Sequence, residues 1–273
     1  MARLRLKDII VSYGMNASRT TALDNINLNI EDGDFVSLIG PSGCGKSTLL
    51  DLVAGLRTPT SGQVLIDGHE ISGPGPDRGV VFQDYTLFPW MNALENLRFA
   101  VEHSRAKADK RESLDIANRY LDIVGLSKFS DKYPNTLSGG MRQRLAIARM
   151  FAINPEIFLM DEPFGALDSL NRVFMQDLLV HLWSKDRERK TVLFVTHDVD
   201  EAILLSDKVV VMTPTPGKIK EVVEVPFQRP RRRQNLFASQ DYIILRSKLL
   251  ARFNEEMHQD LEKQEKELIT WSI

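Results

Sequence analysis

The sequence lacks the features that mark a secreted or membrane-spanning protein. Its single cysteine, Cys44, leaves no disulfide to form within the chain and fits a reducing compartment. No apolar run approaches the roughly 18–20 residues that a membrane-spanning helix needs, and runs such as Ile157 to Met160 are only strand-sized. The N-terminal MARLRLKDII becomes charged again too soon for a secretory signal. We therefore expect the chain to stay in the cytoplasm and to reach a membrane only through other chains.

The sequence also lacks an excess of charge of either sign. Lysine and arginine number 35 against 37 aspartate and glutamate residues, which gives a net charge of -2 and argues against a nucleic-acid partner. Hydrophobic residues at 43% and charged residues at 26% are ordinary for a globular protein. A length of 273 residues suits one large domain, or one domain with an inserted lobe.

Periodicity predicts strands and helices in an order typical of an α/β fold. Strands are predicted at Arg3–Tyr13, Thr21–Ile30, Asp34–Gly40, Ser61–Gly68 and Val80–Gln83. Helices are predicted at Lys46–Gly55, Asn92–Val101, Ala108–Val124, Met141–Ile153 and Asp241–Met257. Three short apolar runs, separated by helical stretches, read as buried parallel strands: Ile157–Met160, Val192–Thr196 and Val209–Met212. A doubly wound α/β core with a helical lobe over about 87–154 is the natural assembly.

A glycine-rich segment follows one of these strands and opens the first predicted helix. It reads GPSGCGKST and matches the GxxxxGK[ST] pattern of phosphate-binding loops. Backbone N–H groups and the helix N-terminus supply positive potential there, Lys46 brings a charge to the β and γ phosphates, and Ser47 offers a hydroxyl to Mg²⁺. Cys44 is interpreted as a small loop residue, not a nucleophile. The candidate nucleotide-binding residues are Gly40, Pro41, Ser42, Gly43, Cys44, Gly45, Lys46, Ser47 and Thr48.

Two apolar strands end in residues suited to phosphate chemistry. The run IFLMDE places Asp161 and Glu162 at a carboxyl end, where α/β sheets bind ligands. Asp161 is placed to hold Mg²⁺, and Glu162 to polarise the attacking water. The run TVLFVTH ends in His197, which could bridge to a γ phosphate.

A second glycine-rich segment precedes another helix. It reads LSGGMRQR, and the amides of Ser138, Gly139 and Gly140 together with the helix dipole form a further anion site. Two chains arranged head to tail could each close over the other's nucleotide.

These motifs together resemble the ABC ATPase family over about Arg3 to Val225. GPSGCGKST is similar to the Walker A motif, LSGGMRQ to the family signature and IFLMDE to Walker B with its catalytic glutamate. GALD at Gly165–Asp168 resembles the D-loop, Gln83 the Q-loop glutamine and His197 the switch histidine. Met141 departs from the usual LSGGQ without touching the expected phosphate contacts. Tyr13 lies where the family stacks an aromatic ring on adenine, with a packing aromatic at a strand end as the alternative interpretation.

The resemblance implies a fold and a set of residue roles. The fold is an α/β RecA-like P-loop NTPase core with an antiparallel β subdomain and an inserted helical subdomain. Residues 1–230 would form the ATPase domain and 231–273 a C-terminal helical extension. The cofactors are ATP and Mg²⁺. The catalytic residues would be Glu162, His197 and Gln83, and the metal-contacting residues Ser47, Gln83 and Asp161.

The resemblance also implies partners. These are a second copy of the chain, integral membrane permease subunits and a solute-binding protein, with the chain on the cytoplasmic face of the membrane. LSGGMRQR, FPWMNALENL, THDVDEA and RPRRR are similar to the importer branch for nitrate, sulfonate, taurine and related solutes. Another small solute, such as bicarbonate or a vitamin precursor, and a soluble non-transport ABC ATPase stay open as alternatives. The basic run Arg229–Arg233 is interpreted as a solvated linker, with contact to anionic lipid or the permease as the other interpretation.

Overall fold

The computed structural model describes residues 2–14, 19–104, 109–165, 167–185 and 189–270. The chain divides into two compact units, residues 1–74 with 191–273, and residues 75–190. We call them the first and the second unit.

The elements after residue 34 include both strands and helices. In chain order they are β1 (Ala2–Tyr13), β2 (Thr20–Glu31), β3 (Phe35–Ile39), α1 (Lys46–Ala54), β4 (Ser61–Ile66), β5 (His69–Glu70), β6 (Arg78–Val81), α2 (Ala93–Ser104), α3 (Lys110–Ile123), α4 (Gly139–Ile153), β7 (Ile157–Asp161), α5 (Ser169–Lys185), β8 (Thr191–Val195), α6 (Val199–Leu205), β9 (Lys208–Met212), β10 (Ile219–Glu224), α7 (Arg233–Phe237) and α8 (Gln240–Thr270). Two 3₁₀ turns, Ser127–Phe129 and Pro134–Thr136, precede α4.

The first unit contains an antiparallel sheet in the order β2-β1-β4-β5. In β2 the side chains of Ile26, Leu28 and Ile30 are buried, while the residues between them are exposed. This two-residue period is what a sheet with one buried face requires. The strands predicted at Arg3–Tyr13, Thr21–Ile30 and Ser61–Gly68 are confirmed as β1, β2 and β4.

The first unit also contains the strands that carry the phosphate loop. Here β10 pairs antiparallel with β9, and β3 lies parallel between β9 and β8. Every residue of β3 and β8 is buried, as expected for parallel strands that are covered on both faces. At about 25 cal/mol per Å² of buried apolar surface, such strands make large contributions to stability.

The second unit combines a parallel strand pair with helices. Strand β6 pairs with β7, with Val81 opposite Met160. Helices α2, α3 and α4 pack on one another, and α4 also packs on β6. Strand β6 ends at Val81, two residues before the predicted end at Gln83, because tight turns follow it. The predicted helix start at Ala108 lies outside the described residues, and α3 begins at Lys110 behind the capping residue Asp109.

The basic run near the C-terminus is not a solvated linker, so that interpretation is wrong. The side chains of Arg229 and Arg231 are 9% and 2% exposed. Arg231 donates to the carbonyls of Ile203, at 2.9 Å, and Ser206, and Arg229 donates to Asp207 at 2.9 Å. Burial lowers the pKa of Arg231 to about 10, with nearby Arg229 adding to the effect, so it stays a cation at neutral pH. These arginines satisfy carbonyls that the end of α6 leaves without helical partners.

Helix α8 follows this segment and confirms the helix predicted from Asp241. It continues to Thr270, so the acidic end of the chain is helical up to that residue. Within the described ranges, no helix combines the length and the apolar character needed to span a membrane.

Candidate nucleotide site

The phosphate loop connects buried strand β3 to helix α1 through a left-handed backbone. Gly45 has φ +98° and caps α1 without any side-chain hydrogen bond. A Cβ on Gly45 would lie 2.5 Å from Leu23 Cδ2, so only glycine fits. The first amides of α1 consequently have no side-chain acceptor at this cap, which leaves them available to an anion.

The Lys46 side chain folds back into the phosphate loop. The side chain is 7% exposed, and Nζ donates to the carbonyl oxygens of Gly40 and Pro41, each at 2.8 Å. Nζ also lies 3.8 Å from Cys44 Sγ. Burial raises the pKa of the Cys44 thiol, although Lys46 opposes the shift, and a buried protonated thiol agrees with a packing role. A positive charge is thereby held at the centre of the glycine-rich turn.

A hydroxyl and an aromatic ring border the loop. Tyr13 Oη lies 2.9 Å from Thr48 Oγ1, which joins the end of β1 to the first turn of α1. The Tyr13 ring is 38% exposed, and the Arg57 guanidinium carbon lies 4.7 Å from its centroid. Ser47 is exposed beside them. Tyr13 therefore makes packing contacts at a strand end and is still partly exposed, and its stacking on adenine stays a prediction. Sequence reasoning missed Arg57, since no motif marks it.

His197 follows β8 in a turn that side chains fix. The imidazole is exposed, whereas Thr196 is buried and its hydroxyl bonds to Glu201 Oε2 at 2.5 Å. The Asp198 amide donates to Thr196 Oγ1 at 3.0 Å, and the Asp198 carboxylate caps α6. Because β3 and β8 are parallel neighbours, the phosphate loop and His197 follow strand ends at the same edge of the sheet.

The acidic strand end lies in the second unit. Ile157 to Met160 are buried, and Asp161 and Glu162 are half-buried where β7 ends. Glu162 has φ +43°, an unusual value for a residue with a side chain, and its carbonyl accepts from the Gly165 amide at 3.1 Å. Residues with such strained backbone conformations are often found at functional sites. Ala166, within the predicted D-loop, lies outside the described residues.

Gln83 is exposed in the loop after β6, and a half-buried arginine donates hydrogen bonds to that loop. Tyr85 and Thr86 have φ of +64° and +40°. Arg149, on α4, donates to the Thr86 carbonyl at 2.9 Å and to the Tyr85 carbonyl at 3.4 Å. Burial lowers the pKa of Arg149. Sequence reasoning missed this residue because 63 positions separate it from the loop. As β6 and β7 are parallel neighbours, Gln83 and Glu162 follow strand ends at one edge.

The signature segment forms the start of α4, also in the second unit. Ser138 is exposed, and its hydroxyl accepts from the Met141 amide at 3.3 Å as the helix cap. Gly139 and Gly140 are the first two residues of the helix and are half-buried. Arg142 donates to the Leu137 carbonyl at 2.8 Å, which holds the preceding turn. An exposed helix N-terminus thus lies where the second anion site is predicted, and anion binding there stays a prediction.

The predicted site residues thus form two groups, one in each unit. Tyr13, the loop Gly40–Thr48 and His197 lie in the first unit. Gln83, Asp161, Glu162 and the segment Ser138–Gly140 lie in the second. Their joint action on one nucleotide stays a prediction.

Comparison with known proteins gives the same assignment as the motifs. A family model described as "ABC transporter" matches residues 23–165. The nitrate import ATP-binding protein of Synechococcus elongatus is 47% identical over 230 residues, covering 84% of this chain and 83% of that protein. The bicarbonate transport ATP-binding protein of Synechocystis sp. is 43% identical, covering 95% and 92%. An uncharacterised ABC transporter ATP-binding protein of Methanocaldococcus jannaschii is 48% identical, covering 95% and 94%.

Solved structures add the fold. A dimeric bacterial ABC transporter cassette is 36% identical, with a TM-score of 0.74, and covers 82% of this chain and 100% of that one. A dimeric cassette in a post-hydrolysis state, bound to ADP and Pi, is 35% identical with a TM-score of 0.73 and the same coverage. The predicted α/β P-loop NTPase fold is confirmed. On this evidence the chain belongs to the ABC transporter family and is an ATP-binding, ATP-hydrolysing subunit of a transporter.

Proposed function

We propose that this subunit energises uptake of a small solute such as nitrate, a sulfonate or taurine through a partner permease. The observation that carries the proposal is the buried Lys46 ammonium at the centre of a glycine-rich turn whose helix cap uses no side chain. A charge and free amides in this arrangement are what the phosphates of ATP require.

Magnesium would accompany the bound nucleotide. The residues present fit this ion, because Ser47 offers an exposed hydroxyl and Asp161 a half-buried carboxylate. Mg²⁺ bound to phosphates needs only one or two protein oxygens beyond its waters. Gln83, exposed after β6, would add an amide oxygen. When bound, the metal would supply positive charge that neutralises the charge developing on the phosphates.

Glu162 and His197 would support hydrolysis. Glu162 would accept a proton from the attacking water, and the left-handed backbone at this residue fixes the direction of its side chain. His197, exposed beyond the buried Thr196, would contact the γ phosphate. Both residues follow strand ends, where α/β sheets bind their ligands.

A second copy of the chain would complete each site. Ser138 and the first amides of α4 face solvent at a helix N-terminus, which suits the γ phosphate held by another subunit. Related cassettes have been solved as dimers. Closure of a head-to-tail pair on two ATP molecules, and its opening after hydrolysis, would move the attached permease.

The permease contact would lie beside Gln83. A cavity of 480 Å³ in the second unit has a lining that includes Phe82, Phe88, Phe99 and Arg149. An amphipathic helix of the permease would insert apolar side chains into this aromatic groove. The subunit would then lie on the cytoplasmic face of the membrane, with a solute-binding protein on the other side.

The solute is tested by uptake in cells that lack this chain. Uptake of labelled nitrate, taurine and bicarbonate is compared after complementation with wild-type protein or with Glu162→Gln. Nitrate or taurine uptake that only the wild type restores supports the proposal. Restored uptake of bicarbonate alone would favour the alternative that relatives of both kinds leave open. A non-transport ATPase would be favoured by two results together: none of the three uptakes is restored, and the purified protein hydrolyses ATP without any membrane protein bound to it.

A further inference from the structure

The turn between β9 and β10 packs against the outer side of the phosphate loop. It spans Thr213 to Gly217, with the sequence TPTPG. The Thr213 amide donates to the Lys218 carbonyl at 2.9 Å, and the Lys218 amide donates to Thr213 Oγ1 at 3.0 Å. The turn is therefore closed by its own hydrogen bonds.

Thr215 contacts the phosphate loop directly. Its hydroxyl donates to the Gly43 carbonyl at 2.9 Å, across 172 positions of sequence. In a loop whose amides surround phosphates, the carbonyls must point outward to other donors. Thr215 supplies such a donor for the peptide that follows Gly43.

Gly217 sets how closely the turn approaches. A Cβ at this position would lie 2.0 Å from the Cys44 carbonyl oxygen, so the two backbones are in close contact. The Gly217 amide donates to the Ala22 carbonyl at 2.8 Å, and its carbonyl accepts from the Asp24 amide at 3.0 Å. These two hydrogen bonds attach the turn to β2 and thereby hold it against the phosphate loop.

We propose that the Thr213–Gly217 turn is a brace for the phosphate loop and that Thr215 is a positioning residue for ATP binding. This rests on the proposed nucleotide site at Gly40–Thr48. The loop contains two glycines in left-handed conformations, Gly43 at φ +78° and Gly45 at φ +98°. Glycine leaves the backbone many alternatives, and the Thr215 bond removes some of them before ATP arrives. The brace acts on affinity and leaves the chemical step alone.

The test is ATP binding and hydrolysis by full-length Thr215→Val, with Thr215→Ser as the conservative variant and exposed Thr58→Val as the matched control. Loss of one neutral hydrogen bond predicts a 3- to 10-fold rise, roughly, in Kd and KM for MgATP, with kcat within about twofold. Thr215→Ser and Thr58→Val should bind as the wild type does. Wild-type affinity in Thr215→Val would overturn the proposal. Equal losses in Thr215→Val and Thr215→Ser would also overturn it, because packing and not the hydroxyl would then be the cause.

A second pair of variants separates this inference from the nucleotide site itself. Gly217→Ala forces the two backbones apart and should weaken MgATP binding by about tenfold or more, while melting curves of all variants report their folding. Lys46→Ala tests the site. If Lys46→Ala keeps wild-type affinity, the nucleotide site is wrong. If Lys46→Ala loses affinity while Thr215→Val and Gly217→Ala keep it, the site stands and only the brace is wrong.

Discussion

The two glycine-rich helix starts of this molecule use their amides differently. At α1, Gly45 caps the helix without a side-chain bond, and Lys46 is buried within the turn. At α4, the Ser138 hydroxyl already accepts from the Met141 amide, and Ser138 itself is exposed. The first helix start therefore leaves its amides available to an anion without a side-chain acceptor in the way. The second is a stable cap on an open surface.

The two helix starts also differ in the structure that surrounds them, and the first is the more firmly held. The phosphate loop follows a wholly buried strand and contacts a turn from the far end of the chain. The signature segment follows a short 3₁₀ turn, Pro134–Thr136. The difference teaches that similar glycine-rich sequences can serve unequal roles. We predict that one binds the nucleotide of its own chain, and that the other contacts phosphate only when a second copy of the chain brings it.

The largest expected effect lies at neither helix start, because both are predicted to bind phosphate and not to take part in the proton transfer of hydrolysis. Glu162→Gln should lower kcat at least about 100-fold, since a general base typically contributes that much, while Kd for MgATP stays within about twofold. Steady-state hydrolysis and nucleotide titration measure the two quantities. Exposed Glu224→Gln is the control. Unchanged turnover would remove Glu162 from the mechanism.

Removing the buried charge at the first helix start should have the next largest effect. Lys46→Ala should weaken MgATP binding about 10- to 100-fold, because charge-assisted bonds to phosphate are lost. Lys248→Ala, which removes a lysine paired with Glu221 on the surface, should bind normally. Calorimetry on both variants decides the matter, and equal affinities would contradict the assignment of the phosphate loop.

The same kind of change at the second helix start should act on turnover and not on binding. Ser138→Ala should lower hydrolysis about tenfold at concentrations where chains pair, with the affinity of a single chain for MgATP unchanged. Ser138 is also a helix cap worth about 1 kcal/mol, so melting curves must accompany the assay. If the isolated Ser138→Ala chain bound MgATP more weakly than the wild type, the proposed difference between the two helix starts would be wrong.

The smallest expected effect concerns a third helix start, α6, which is tied to the C-terminal helix by charge. Asp200 accepts from Tyr242 Oη at 2.6 Å and pairs with Arg246. Burial raises the pKa of Asp200, but these bonds outweigh burial and hold it below its usual range. The pairing therefore stabilises the fold above a pH of about 4 and is lost as pH falls through the lower folded pKa.

Asp200→Asn should lower the free energy of unfolding by about 1 kcal/mol, a value kept small because the site is half exposed. Denaturant unfolding near neutral pH and near pH 3 measures it. A difference between wild type and variant that persists undiminished at the lower pH would show that charge is not the cause.

The site motifs were predictable because each is local in sequence. Residues such as Lys46 and Ser138 have roles set by their immediate neighbours, and buried strands such as β3 and β8 are apolar throughout. Contacts between distant positions were not predictable. Arg149 holds a loop 63 positions away, Thr215 contacts a loop 172 positions away, and Arg231 is buried although its sequence neighbours suggested a solvated linker.

The most direct test of the account is a crystal structure of Glu162→Gln with MgATP. The account predicts the β and γ phosphates against the amides of Gly43–Thr48 and Lys46 Nζ, with Asp161 and residue 162 beside the γ phosphate and Ser138 of a second copy opposite. A nucleotide bound elsewhere, or a phosphate loop remote from the end of β7, would contradict it.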